Sequence, residues 1–244
     1  MSPAYLVLGA TGGIGSAVSR LLAASGANLG LAARDEGRLS SLAAEIGGST
    51  HPLDATSLDA VGAAAEAMVA QHGSLNGIVN CVGSILLRPA HRTSEDQWRT
   101  TLSQNLDTAF AAVRAGTATM LESGGSIVLL SSAAARIGLA NHEAVAAAKA
   151  GVVGLARAAA ASYAPRGIRV NVVAPGLVRT PLSEPILRSP ASEKASVAMH
   201  PLGRLGEPDD VARAIAWLLD PAQSWVTGQE LGVDGGLGTL RSQR

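Results

Sequence analysis

Gly9-Ala10-Thr11-Gly12-Gly13-Ile14-Gly15 follows directly on the apolar run Ala4-Tyr5-Leu6-Val7-Leu8 and opens a segment of helical character from Ile14 to Ser25. Glycines at such a junction remove the Cβ atoms that would hold a pyrophosphate away from the backbone. The start of a helix adds unpaired N–H donors and a partial positive charge. Strand, glycine turn and helix in that order read as a dinucleotide-binding crossover, against the competing reading of a turn kept glycine-rich for tight packing alone.

Outward from this turn, short aliphatic or β-branched runs recur at 4–8, 27–33, 50–54, 75–82, 125–131, 168–174 and 230–233. Segments of helical character lie between them at 14–25, 36–46, 57–72, 94–121, 143–163 and 207–219. The alternation predicts an α/β fold, a Rossmann-type doubly wound parallel sheet of about seven strands with helices on both faces. Ligands then belong at the carboxyl ends of the strands. No repeat or compositional break divides residues 1–244, so one dinucleotide-binding domain is expected. The poorly periodic stretch 181–206, with prolines at 181, 185, 190 and 201, reads as a substrate lid or as a plain surface excursion.

Apolar residues make up 47% of the chain and charged residues 16%, with 19 basic against 19 acidic side chains. No net field favours nucleic acid or an anionic membrane, so neither is an expected partner. Cys81 is the single cysteine, which excludes an internal disulfide and a thiolate-rich metal site; no metal is expected. Residues 1–15 carry no basic start followed by an apolar stretch, and a reducing, cytoplasmic location is expected. The Ala-rich tract around 143–164 is interrupted by Lys149, Arg157 and two glycines, and reads as a buried helix rather than a membrane span.

The G-x-x-x-G-x-G spacing resembles the short-chain dehydrogenase/reductase family, and other stretches agree in order. Asn80-Cys81-Val82-Gly83 stands where that family has N-N-A-G after its fourth strand, and Asp54 where an aspartate meets the adenine. Trp98 and Asn105 lie in a stretch similar to the family's W-x(6)-N helix, and Ser131-Ser132 ends the fifth strand. Pro175-Gly176 with Thr180 matches P-G-x-x-x-T, and Val233-Asp234-Gly235-Gly236 matches V-D-G-G, so the resemblance runs from about residue 4 to 238. Within the family it resembles the 3-oxoacyl-thioester reductases. It implies that Gly9, Gly13 and Gly15 line the pyrophosphate and that Asn80 steadies the fourth strand beside the adenosine ribose, with Ile14, Asp54, Gly83, Pro175 and Gly176 also among the cofactor-binding residues. It further implies that Thr180 approaches the carboxamide or phosphates, that Lys149 bonds the nicotinamide ribose, and that Ser132 holds the substrate's reacting oxygen. Asn105 completes the implied catalytic group.

An NAD-type site places an acid roughly 20 residues past the glycines. Ala33-Arg34 stands there instead, and a 2′-phosphate would find a bidentate donor in Arg34. NADP(H) is the expected cofactor. NAD(H) remains the alternative, because Gly12 occupies a place where NADP-preferring relatives carry a second basic residue and because Asp35 and Glu36 are close.

The family's proton donor is a tyrosine four residues before the lysine, and here that residue is Val145. The thirteen-residue spacing from Ser132 matches the family's serine-to-tyrosine spacing, so the register holds. Tyr5 and Tyr163, the two tyrosines of the chain, cannot be carried onto the place. Three outcomes follow. His142 shares a helix face with 145 and 149, resembles the tyrosine of the enoyl reductases' Y-x-x-M-x-x-x-K, and could supply the proton, although Asn141 as helix cap would put it in a first turn that disfavours its charge. Water could serve, as in dienoyl-thioester reductases of the family that lack the tyrosine, with Lys149 and Ser132 polarising a ketone or a conjugated C=C. Or the chain binds the nucleotide without chemistry, as a regulatory or scaffold protein.

Arg88, His91, Arg92 and Arg136 follow the fourth and fifth strands and could meet the phosphates of an acyl-thioester substrate, or be solvated surface charge. Aromatics at 2% favour an aliphatic pocket for a small-molecule substrate. Helix 143–163 is lined with alanine and glycine all round; the family resemblance implies a homotetramer with this helix at an interface.

Overall fold

Strands covered on both faces need no polar alternation, and this chain has several. The computed structural model describes residues 2–241. Its strands are β1 (Ala4–Leu8), β2 (Asn28–Ala33), β3 (Ser49–Pro52), β4 (Gly77–Asn80), β5 (Gly125–Leu130), β6 (Ile168–Pro175) and β7 (Glu230–Val233). Every residue of β1, β4 and β6 is buried, whereas β3 alternates between half-buried and exposed. That contrast separates the centre of a parallel sheet from its rim. The order is β3-β2-β1-β4-β5-β6-β7 and every pairing is parallel. The expected fold class is thus the observed one.

Eight α-helices are found among the described residues: α1 (Gly13–Ala24), α2 (Glu36–Ile46), α3 (Leu58–His72), α4 (Glu95–Leu102), α5 (Thr108–Met120), α6 (Glu143–Tyr163), α7 (Pro190–Met199) and α8 (Pro208–Leu219). One core lies between the sheet and α3, α5 and α6, and includes Met68, Met120 and Val152. The other lies beneath α1, α2 and α8, and includes Val18, Leu39 and Ile215. After β1 the chain moves to β2 and β3 on one side, then crosses to β4 on the other. The crevice at that reversal is where a doubly wound sheet receives its ligand.

One expectation about elements needs correction, and one irregular stretch gains a helix. The segment 94–121 is not one helix: a π-helical turn at Ser103–Asp107 separates α4 from α5. Asn105 supplies the reason, since its Nδ2 donates to the Thr101 carbonyl at 2.9 Å and competes with the backbone ladder. Within 181–206, α7 forms a ten-residue helix begun by Ser189, whose side chain accepts from Ser192 N, and by Pro190. Composition alone also does not exclude a membrane span at 143–166, which is long and apolar enough to qualify. In the fold this helix packs against β6 and α5, with Val152, Val153 and Ala156 buried.

Candidate active site

The turn after β1 is shaped by what glycine lacks. Gly9 has φ 75°, and a Cβ on Gly15 would drive into the Gly9 carbonyl. A Cβ on Gly13 would stand 2.5 Å from Thr180 Cγ2, so the residue beyond β6 closes over the turn. The first N–H groups of α1 have no intrahelical partner. Gly9, Gly13, Ile14, Gly15, Arg34 and Asp54, together with Gly83 and Thr180, line one cavity of about 680 Å³ at the switch between β1 and β4. A cradle cleared of side chains and rimmed by helix N–H groups fits the diphosphate of a dinucleotide.

The end of that cavity beside Arg34 contains a residue the sequence reading missed. Arg38, in the first turn of α2, lines the wall with Arg34 and donates from its guanidinium to the Thr11 carbonyl at 2.6 Å. A basic side chain four residues beyond Arg34 was the available signal; the contact itself spans 27 residues. The neighbouring acids are otherwise engaged. Asp35 caps α2 by accepting from Arg38 N at 2.9 Å. Asp54 accepts from Thr56 N at 2.9 Å and Thr56 Oγ1 at 2.8 Å, bonds that hold its carboxyl below the ordinary range.

Asn80 and Lys149 lie behind this cavity rather than in its wall. Asn80 is buried, donates to Thr108 Oγ1 at 3.1 Å and accepts from Val82 N at 3.0 Å, which fixes the chain leaving β4. Lys149 Nζ donates to the Leu130 carbonyl at 2.9 Å, and burial lowers its pKa from 10.5 to about 8. Gly83 brings it within reach of the ligand edge, since a Cβ there would be 3.3 Å from Nζ. Burial pushes the nearby Cys81 thiol up to about 12.

A second cavity of about 180 Å³ adjoins the ends of β5 and β6 and holds Ser132, His142, Val145, Pro175 and Gly176 in its wall. Ser132 Oγ accepts from Ala134 N at 3.1 Å, which leaves its O–H to donate. Val145, 5% exposed, presents an apolar surface beside it. Ile85, Leu87, Ile186 and Met199 make the remaining wall largely aliphatic.

Asn141 does not cap α6. It sits one residue earlier in the left-handed region at φ 65°, and His142 itself is the N-cap, with no capping bond from its side chain. His142 Nδ1 is 2.8 Å from the Ala140 carbonyl, which can only accept, so Nδ1 carries the proton. Nε2 can therefore donate only when the ring is charged.

Three further sets of expected residues have these contacts in the fold. The Asn105 carboxamide is spent on structure, accepting from Ser84 N at 3.1 Å and donating to Ser84 Oγ and Thr101 O at 2.9 Å. Arg136 lines neither cavity; its guanidinium faces Glu230 at 4.0 Å and Asp234 at 3.8 Å below the end of β7. Arg88, His91 and Arg92 are exposed on and beside a short 3₁₀ turn at Ala90–Arg92, just past Ile85 and Leu87 of the cavity wall.

Comparison with known proteins agrees with this geometry. The family profile described as enoyl-(acyl carrier protein) reductase matches residues 9–238. The chain belongs to the short-chain dehydrogenase/reductase family. It is 35% identical to D-threitol dehydrogenase of Mycolicibacterium smegmatis, over 95% of this chain and 91% of that one. It is 34% identical to 3-oxoacyl-(acyl-carrier-protein) reductase FabG of Thermotoga maritima, over 95% and 96% of the two chains. The structure of ElxO with NADP bound superposes at a TM-score of 0.91 with 27% identity, covering 97% of this chain and 99% of that one. As a member of this family, the chain is an oxidoreductase of the nicotinamide-dependent type.

Proposed function

We propose that this short-chain dehydrogenase/reductase uses NADP(H) to pass hydride to the carbonyl or conjugated C=C of a small or acyl-thioester substrate, without the family's tyrosine. The observation that carries the reading is the common cavity of Ser132, His142 and Val145, set at the strand ends beside the glycine cradle. The nicotinamide cofactor supplies the hydride. Backbone groups of Gly9 to Gly15 receive its diphosphate, Lys149 bonds the ribose, and Arg34 with Arg38 receives the 2′-phosphate. Asp35 and Asp54, each bonded to backbone N–H groups, offer weak competition for a ribose 2′-hydroxyl.

Ser132 donates its O–H to the reacting oxygen, where negative charge develops. The proton that completes reduction comes from His142 as the charged ring, or from a water bonded to its bare Nε2. Asn105 positions the Ser84 loop rather than touching the reacting atoms. The aliphatic wall accepts a hydrocarbon chain, and the exposed cations at 88, 91 and 92, just past that wall, would receive a thioester's phosphates. NAD(H) is the lesser cofactor in this reading, and the reducing cytoplasm its compartment.

A second reading is kept because Val145 offers nothing protic at the tyrosine's place: a nucleotide-binding regulatory or scaffold protein without turnover. Saturating the chain with NADPH and testing a panel of ketones and enoyl thioesters separates the two. Oxidation of NADPH with any member supports the reductase; tight binding with no turnover supports the second.

A further inference from the structure

His200 is 2% exposed, and both of its ring nitrogens are engaged. Nδ1 lies 2.7 Å from the Ser196 carbonyl in the last turn of α7, and Nε2 lies 3.1 Å from the backbone nitrogen of Leu177. A backbone N–H only donates and a carbonyl only accepts. The ring must therefore carry its proton on Nδ1 and leave Nε2 bare, a neutral imidazole in one tautomer.

That ring ties two pieces of chain that are 23 residues apart. Leu177 leaves the end of β6 directly after Pro175-Gly176, and the ring lies so close that a Cβ on Gly176 would stand 2.7 Å from Nε2. Both pieces are walls of the 180 Å³ cavity: Ser196 and Met199 on the α7 side, Pro175, Gly176 and Leu177 on the sheet side. Ser132 and Val145 complete the same enclosure.

We propose that His200 is a positioning residue that seats α7 over the substrate cavity and so sets the size of substrate the site admits. It rests on the reading of this cavity as the substrate site, and it names what holds its roof. The ring transfers no proton to substrate, because Leu177 N–H occupies its only lone pair.

Hydrogen exchange on the full chain saturated with NADPH tests the bridge without needing a substrate. His200→Ala should speed exchange of the amides at 190–199 by roughly tenfold or more, with the strands unchanged. NADPH affinity should stay within about twofold, since His200 does not line the glycine-turn cavity. His200→Gln, whose Oε1 can accept from Leu177 N, should recover most of the protection; His200→Asn, which reaches only Ser196, should not. Equal behaviour of the Gln and Asn chains overturns the proposal, even if the Ala chain fails to fold. So does unchanged exchange in the Ala chain, or loosening spread evenly through the sheet. Nitrogen NMR of the unaltered protein reads the tautomer directly: a proton found on Nε2 removes the bridge.

Where the panel yields a substrate, His200→Ala should raise KM and admit bulkier substrates while kcat stays within about threefold. A parallel fall in kcat overturns the positioning role. No turnover by the unaltered chain instead defeats the reductase reading and leaves the exchange result intact.

Discussion

Val145 is the residue on which the chemistry turns. A phenol placed there would share the cavity with Ser132, so Val145→Tyr is expected to raise ketone reduction at least tenfold if the rest of the centre is intact; a stopped-flow assay of NADPH oxidation reads it. At the other end of the cofactor, Arg34→Ala and Arg38→Ala should each shift the ratio of NADPH to NADH affinity by roughly tenfold or more toward NADH, measured by cofactor fluorescence. Lys149 makes a prediction about pH. Its folded pKa is lowered from 10.5 to about 8, so the unfolded chain binds more protons between those values and stability should rise with pH there. Cys81 opposes it above about 9, because its folded pKa is raised from 9.0 to about 12 and the folded chain then holds the extra proton. Denaturant titrations of the Cys81→Ala chain at pH 8 and pH 10 should therefore show the lysine's gain alone. Arg34 was singled out by its distance past the glycines, and Ser132 and Lys149 by the family resemblance. Arg38 was not, because its partner Thr11 is brought to it only by the pairing of β1 with β2.

Among the elements, the strands were the easiest to read, since burial on both faces writes itself as unbroken aliphatic runs. The inserted turn at Ser103–Asp107 left no such mark, because one extra residue shifts the apolar phase too little to show against alanine-rich neighbours. Helix α7 was hidden by its serines and prolines, which serve as its cap and first turn. The glycine turn makes the sharpest element-level prediction. Gly15→Ala forces a Cβ against the Gly9 carbonyl and should cost about 1–3 kcal/mol in thermal unfolding and abolish dinucleotide binding. Gly62→Ala, where a Cβ meets nothing within 4 Å, is the matched control and should be neutral or slightly stabilising.

For the whole molecule, the outer face of α6 carries Ala147, Ala150, Gly154 and Ala158 in exposed positions, and Phe110 of α5 is 47% exposed. Small exposed side chains on α6 and an exposed ring on α5 suit close contact with another copy, and we propose this face as the contact of the homotetramer that the family resemblance implies. Gly154→Glu tests this cleanly, since a Cβ there meets nothing within 4 Å in a single chain. Sedimentation should show smaller species with a circular dichroism spectrum like the parent's; a persistent tetramer would place the contact elsewhere. The family resemblance put residues 13 and 180 at the same ligand, but their direct contact was not legible, because only folding brings them together. The methyl of Thr180 lies over the bare backbone of Gly13, and three residues before it Leu177 donates to the His200 ring that seats the roof of the second cavity. Whatever docks against Gly13 is thereby a neighbour of the roof's anchor. Occupancy at one pocket should be felt at the other, and product-inhibition kinetics should reveal compulsory order, nucleotide entering first and leaving last.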